Sequence, residues 1–193
     1  MPFEQPAPGS LVPVAPSLQE RRVVVLGHVC IVLLRYAPPM HDREWATLLA
    51  EYNTWMNDRM YAVCRGLSDD DYHRDLGAFF GSVHLTLRHI FVIDILFVRR
   101  LCGRGRDASP QVDTLDALEK QRAQLDREIV QWAEGLERGA LDEPFTVIPD
   151  TTRTVPAFVI ATQMFNHQTH HRGQASALLT RLGVDIGATD IPA

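Results

Sequence analysis

The sequence predicts an all-α protein built as a four-helix bundle. Apolar residues recur three and four positions apart along four stretches of roughly 20–28 residues, which is the spacing of helices that bury one face. Short or moderate polar and glycine-containing connections separate these stretches, as in antiparallel bundles. The chain has 193 residues, of which 46% are hydrophobic and 22% charged. This composition is ordinary for one water-exposed globular domain.

The first 39 residues do not fit this pattern. Residues 1–20 are rich in proline and predict disorder, and a 12-residue apolar run from Val23 to Leu34 follows two arginines. The run is shorter than the about 20 residues that span a bilayer. Three interpretations stay open: an extra helix or strand against the domain, a membrane-associated or exported segment, or upstream sequence with the biological start at Met40. We favour the third, because amphipathic order begins abruptly there, and expect an N-terminal extension over 1–39 that is disordered or loosely attached, and one domain over 40–193.

The first two predicted helices carry clear apolar stripes. The first begins after Met40 and ends at Gly66, before the polar stretch SDDDYHRD, which we interpret as a solvated loop or a helix start. The second runs from about Ala78 to Leu101. It is rich in β-branched residues, but its length of more than 20 residues favours a helix over a strand.

The last two predicted helices have start and stop signals. The third begins at Ser109, an N-cap followed by Pro110 at the first helical position, and stops near Gly139. A loop with a short extended piece at 145–148 follows. The fourth opens near Thr154 and runs to Leu182, with Gly183 as the residue that ends it.

Charge and cysteine usage exclude some classes of protein. The formal net charge is -5, and the arginines are scattered. Neither feature is typical of a nucleic-acid binder that neutralises phosphates, and we expect no membrane partner. Three widely spaced cysteines without a CxxC pair indicate a reducing, cytoplasmic setting.

Histidines supply the candidate site. In a helix each residue advances about 100°, so His171 lies about 40° from His167 on the apolar stripe of the fourth helix, and His170 lies about 60° to the other side. In the second helix His89 lies on an apolar stripe, whereas His84 and Asp94 point away from it. An i, i+4 histidine pair can chelate a metal. Alone it is a weak signal, and two core histidines satisfied by hydrogen bonds are the alternative.

A third histidine strengthens the metal interpretation. His89, His167 and His171 would leave a coordination position open, which is typical of catalytic or substrate-binding sites and not of structural zinc. Neutral imidazoles suit Zn, Ni, Fe(II) or Cu, so the divalent metal is not identified by its ligands. Bound there, it would act as a Lewis acid or lower the pKa of a water or thiol.

Four stretches from Met40 onward resemble the DinB family, the DinB/YfiT-like metalloenzymes. They are AEYNTWMNDRMY, GSVHLTLRHIFVIDILFVRRL, LEKQRAQLDREIVQWAEGL and, the most specific, FNHQTHHRGQASALLTRLG followed by TDIP. The resemblance implies a four-helix bundle, a homodimer, and a divalent metal held by His89, His167 and His171. Arg88 stands where the family commonly has Asn, and Phe97 where it commonly has Trp.

The resemblance does not determine a reaction. Relatives in the wider superfamily are S-transferases and isomerases that use low-molecular-weight thiols, so we expect a metal-dependent S-transferase acting on a small molecule. The alternatives are a metal-dependent hydrolase and a non-enzymatic, stress-related metal- or ligand-binding dimer. No catalytic residue is identified. The side chains nearest the triad in sequence, which we expect to orient ligands or substrate, are Asn166, His170, Arg172 and Gln174.

Overall fold

A computed structural model describes the backbone of residues 21–26 and 29–34 and the full structure of residues 42–102, 111–146 and 154–191. Helices dominate the described residues, and the predicted all-α bundle is confirmed. The helices are α1 (Asp42–Cys64), α2 (Asp69–His73), α3 (Val83–Leu101), α4 (Leu115–Glu134) and α5 (Ala157–Arg181). The strands are β1 (Arg21–Leu26), β2 (Val29–Leu34), β3 (Pro144–Thr146) and β4 (Thr154–Pro156).

The chain divides into two units, Met1–Pro39 and Met40–Ala193. In the first, β1 and β2 pair antiparallel, with Arg21 opposite Leu34 and Leu26 opposite Val29. Of the secondary structures considered for the apolar run, a strand is the one observed, and its many β-branched residues suit it. The disorder predicted for residues 1–20 concerns residues outside the described ones, and the start at Met40 stays a prediction.

The SDDDYHRD stretch, expected as a solvated loop or a helix start, contains helix α2. The Ser68 hydroxyl accepts a hydrogen bond from the backbone N–H of Asp71 (3.1 Å) and donates to the Asp71 carboxylate (2.9 Å). This is a variant of the capping box, with Asp at the third helical position. Tyr72 is the buried residue of this short helix. Its burial attaches to the core a segment whose charges suggest full exposure to solvent.

Helix α3 begins five residues later than predicted. Ser82 is its N-cap, and the Ser82 hydroxyl accepts from the N–H of Leu85 at 3.1 Å. Residues 76–81 form a tight turn instead, closed by a hydrogen bond from the N–H of Leu76 to the carbonyl of Gly81 (2.8 Å). Gly81 has a φ of +78°, which a helix does not allow. The turn places Phe79 and Phe80 beside the start of α3.

The remaining helix ends also differ from expectation. Helix α4 starts at Leu115, capped by the Thr114 hydroxyl, and ends at Gly135, not near Gly139; the predicted cap at 109–110 lies outside the described residues. Helix α5 starts at Ala157, because Thr154–Pro156 pair with Pro144–Thr146 as strand β4. The expected extended piece at 145–148 is therefore observed as β3 over Pro144–Thr146.

The four long helices enclose one core. Helix α1 packs mainly on α4, and α3 mainly on α5. Beyond α5 the chain turns back along the bundle: the Arg59 guanidinium donates to the carbonyl of Ile186 (2.6 Å) and the Tyr52 hydroxyl to the carbonyl of Thr189. No helix among the described residues is long and apolar enough to cross a membrane.

A charged network is buried in this core. Arg122 on α4 donates to Asp94 on α3 and to Asp126 on α4, both at 2.6 Å, and all three side chains are almost fully buried. The network extends to α1 and α5 through neutral amides and one more arginine: Asn53, Asn57, Gln168 and Arg172. A buried charge is costly unless it is paired and hydrogen-bonded, so this network constrains how the four helices face one another.

Candidate metal centre

The structure brings three imidazoles together from two helices. His89 of α3 meets His167 and His171 of α5, with one nitrogen of each ring within 4.8 Å of the others. The closest pair is Nε2 of His89 and Nε2 of His167, 3.0 Å apart. The ring centroids are 4.3–5.0 Å apart, and all three residues are half-buried.

One of these rings is oriented by its neighbour in the sequence. Nδ1 of His171 donates to Oε1 of Gln174 at 2.8 Å, and the amide nitrogen of Gln174 donates to Nε2 of His170 at 3.2 Å. With its proton on Nδ1, His171 keeps Nε2 as the nitrogen whose lone pair is free to bind a metal. Hydrogen-bonded orientation of this kind is the usual support of a metal-binding histidine. His167 lacks it, since its Nδ1 is buried without a hydrogen-bond partner among the described residues.

The local electrostatics favour neutral rings. Burial, followed by the nearby His171, His89 and His170, lowers the pKa of His167 to about 4. Burial and then His171 lower the pKa of His89. Both rings are therefore uncharged near neutral pH, and neutral imidazole is the form that binds metals.

Aromatic side chains form the walls of the cluster. Phe80 stacks on His89 with ring centroids 4.1 Å apart and meets His171 edge-on at 5.4 Å. Phe97 lies 6.2 Å from His167. Sequence reasoning missed Phe80, because it placed the residue inside a helix; the GS pair that follows it, a turn residue and an N-cap, was the available signal.

The other histidines lie elsewhere. His84 is buried, but it packs against Tyr72 and His73 with centroid distances of 5.2 and 4.6 Å, away from the triad. Asp94, which faces away from His89 as expected, is fully buried and bonded to Arg122. His73, expected in a loop, ends α2. His28 and His41 lie outside the described residues.

The four side chains expected to orient ligands divide into two groups. Gln174 and His170 contact the triad or its support. Arg172 is instead buried against α1, where it donates to the side-chain oxygen of Asn53, and Asn166 lines a cavity on that same side. The reason is helical geometry: Arg172 is five residues beyond His167 and so lies about 140° round the helix.

The donor set fits a metal ion. Two nitrogens bound tetrahedrally to one zinc at about 2.05 Å are about 3.3 Å apart, so the 3.0 Å between His89 and His167 needs only a small separation. Three nitrogens and no carboxylate form the group. Such a set leaves a fourth position for a substrate or water.

Comparison with known proteins agrees with this architecture. The model of the DinB family matches residues 40–193. The chain belongs to the DinB family. The resemblance read from the sequence is thereby confirmed, and the match includes all three histidines of the cluster.

Two relatives show how far this DinB-family chain has diverged. Protein DinB of Bacillus subtilis (strain 168) is 22% identical over 162 residues, which cover 76% of this chain and 91% of that protein. A crystal structure of a DinB-like protein of Bacillus subtilis aligns with a TM-score of 0.53 at 17% identity, over 75% of this chain and 96% of the other. That likeness supports the fold and carries no statement about ligands.

Phe97 and Arg88, the two departures from the common DinB-family pattern, have different positions in this DinB-family chain. Phe97 contacts the triad through His167. Arg88 is half-buried and lies near His84, whose pKa is lowered by burial first, then by His73 and by the charge of Arg88; His84 is outside the triad. Only the Phe97 substitution therefore changes the wall of the candidate centre directly.

Proposed function

We propose that this DinB-family protein binds one divalent metal ion through His89, His167 and His171. The observation that carries the proposal is the convergence of three nitrogens from two helices within 4.8 Å, without a carboxylate among them. A pair of histidines on one helix arises by chance, but a third that meets them from another helix requires the tertiary fold.

The chemistry of the cluster supports the same proposal. Three half-buried imidazoles are suitable ligands for Zn, Ni or Fe(II), and burial favours the neutral form of His89 and His167. Gln174 bonds to Nδ1 of His171 and so leaves Nε2 of that ring as the nitrogen that can bind a metal. Without a metal, the close pair of Nε2 atoms can form only a single hydrogen bond, in which one ring donates and the other accepts.

We further propose that the site serves transfer of a low-molecular-weight thiol to a small electrophile. When bound, the metal would supply a Lewis acid that favours the thiolate form of the thiol. The sulfur then forms a bond to an electrophilic carbon, the leaving group departs with its bonding electrons, and the thiol proton passes to solvent. In this scheme Phe80 and Phe97 shield the reacting atoms from water, and Gln174 keeps His171 in place.

The hydrolase alternative has less support. A metal-bound water attacks best with a general base within hydrogen-bond reach. Asp94, the acidic side chain nearest to His89 along α3, is fully buried and engaged by Arg122 and Gln168. Among the described residues, no carboxylate joins the histidine group.

We propose that the protein acts in the cytoplasm as a homodimer. Large apolar side chains are exposed at the start of α5, where Phe158 and Val159 are 45% and 46% exposed, and on α1 at Leu48. Exposed apolar patches commonly mark protein interfaces. Light scattering of the purified protein tests this, and a monomer at micromolar concentration contradicts it.

The deciding experiment measures metal content by elemental analysis of the protein as isolated and after reloading with Zn, Ni or Fe(II). We expect about one ion per chain in the wild type and a large loss in His171→Ala. The matched control is His73→Ala, which removes an exposed histidine outside the triad and should retain the metal. Equal metal content in all three proteins contradicts the proposed ligand set.

Thiol transfer is tested separately with metal-loaded protein, a panel of low-molecular-weight thiols and 1-chloro-2,4-dinitrobenzene as the electrophile. Turnover that His171→Ala abolishes and His73→Ala retains supports the S-transferase. Metal binding without turnover for any thiol favours the non-enzymatic ligand binder.

A further inference from the structure

A cavity of about 410 Å³ lies between α1 and α5, on the side of α5 opposite the histidines. The α5 residues that line it include Thr162, Phe165, Thr169 and Arg172, each about 140–160° round the helix from His167. Trp45 and Tyr52 of α1 form the facing wall, and residues 189–191 pass over it. Its volume is within the range of small-molecule sites.

A buried cation stands at this cavity without a carboxylate partner. Arg172 is only 3% exposed, and no carboxylate among the described residues lies within ion-pair distance of it. It donates to the side-chain oxygen of Asn53 and, weakly at 3.4 Å, to the hydroxyl of Thr169. A guanidinium has five N–H donors, so most of its donors are not used by those bonds.

The carboxylates of the core do not neutralise this arginine directly. Asp94 and Asp126 are both bonded to Arg122. Arg172 reaches Asp126 only through Asn53, whose amide nitrogen donates to that carboxylate at 2.8 Å. Burial lowers the pKa of Arg172 to about 10, so it stays charged near neutral pH.

The rest of the lining indicates what kind of molecule fits. Three aromatic rings form part of the walls: Trp45, Phe165 and Tyr52, the last 5.6 Å from the Arg172 guanidinium. The Thr162 hydroxyl, also in the lining, is buried without a hydrogen-bond partner among the described residues. One negative charge lies at the rim, the exposed carboxylate of Asp190, which solvent screens.

We propose that this cavity is a binding site for a small organic carboxylate that carries a flat apolar group. The carboxylate pairs with Arg172, whose planar guanidinium matches it with two parallel hydrogen bonds. The apolar group packs against the rings of Trp45 and Phe165, which themselves meet edge-on with centroids 5.8 Å apart, and the Thr162 hydroxyl gains a partner. This site is separate from the metal centre and does not depend on the function proposed for it.

Calorimetry on the full-length protein in EDTA tests the proposal with three benzene derivatives of similar size: the anion benzoate, the neutral benzamide and the cation benzylamine. EDTA removes metal, which would itself bind a carboxylate. We expect saturable binding of benzoate at least about tenfold tighter than benzamide, and no binding of benzylamine. Benzoate should bind His171→Ala equally well. Equal affinity for benzoate and benzamide, no saturable binding of benzoate, or its loss in His171→Ala overturns the proposal.

Two kinds of variant locate the site. Arg172→Gln should bind benzoate and benzamide with about equal affinity. Circular dichroism checks that this variant keeps its fold. Asn166→Trp does not alter the buried network, because Asn166 is an exposed residue of the lining. It should block the cavity and abolish benzoate binding, whereas Gln163→Trp, exposed on the same helix outside the lining, should not. Benzoate binding that survives Asn166→Trp unchanged refutes the assignment.

Discussion

Gln174 offers the sharpest test of the proposed centre, because it acts on the metal only through His171. The substitution Gln174→Leu keeps the approximate volume but removes the acceptor that lies 2.8 Å from Nδ1 of His171. The ring then loses the bond that selects its tautomer and its rotation. Loss of such a partner typically lowers metal affinity about 10–100-fold, which corresponds to about 1.4–2.7 kcal/mol.

The assay is competition between the protein and a chromophoric chelator for Zn²⁺ at pH 7.5. Gln174→Glu is the matched variant, since it retains an acceptor at the same reach and should bind zinc at least as tightly as the wild type. His171→Ala sets the limit for loss of a ligand. If Gln174→Leu binds zinc within about twofold of the wild type, Gln174 does not orient the ligand; if Gln174→Glu loses as much as Gln174→Leu, the acceptor is not what matters.

Three further predictions concern the fold that holds the site. Arg122→Met should lower the free energy of unfolding in urea by about 3–5 kcal/mol, because it leaves two buried carboxylates unpaired. The control is Arg65→Met, which breaks the exposed pair with Glu119 and should lower that free energy by less than about 1 kcal/mol. Equal losses in the two variants would contradict the reasoning. Burial raises the pKa of Asp94 to about 6, so between about pH 4 and 6 the folded protein holds a proton that the unfolded chain has released. The contribution of Asp94 to the free energy of unfolding therefore falls as the pH rises through that window. The difference in this free energy between the wild type and Asp94→Asn should decline by on the order of 2 kcal/mol from about pH 4 to 6. A difference that does not change with pH would mean that Asp94 has an ordinary pKa. Ser82→Ala removes the cap of α3 and should cost about 1 kcal/mol, measurable as a lower Tm, whereas Ser82→Thr should retain most of the stability; equal melting of all three proteins would show that the cap contributes nothing.

Helical periodicity was sufficient to predict the bundle and the proximity of His89, His167 and His171. His167 and His171 share a face because they are four residues apart, and His89 could be placed because its neighbours at helical spacing are apolar. These are local patterns that survive folding. Helix starts were less predictable. The start predicted at Ala78 is wrong because Gly81 has a positive φ and Ser82 is the N-cap of α3. The start predicted at Thr154 is wrong because this segment pairs with Pro144–Thr146 as a strand.

The buried charges could not be predicted in the same way. Asp94 was assigned away from the site because it lies off the apolar stripe, yet it is among the most buried side chains of the described chain. A single sequence shows one arginine at an apolar position, Arg122, but not which carboxylates meet it from other helices. Pairing of polar side chains across 28 residues, or 74 residues for Gln168 and Asp94, is a property of the packed bundle.

This network explains why the histidines meet at all. Helix α5 carries two interleaved pairs four residues apart: His167 with His171, and Gln168 with Arg172, turned about 100° toward the core. Gln168 donates to Asp94 at 3.0 Å, and Asp94 is on α3, five residues beyond His89. The bond between Gln168 and Asp94 thus joins α3 and α5 inside the core. The imidazoles of the same two helices approach each other nearby, at the edge of that core. A slip of either helix by one residue would bury Gln168 or Asp94 without a partner, at a cost of about 1–3 kcal/mol or more for each. The register that satisfies the core is therefore the register that brings Nε2 of His89 to Nε2 of His167.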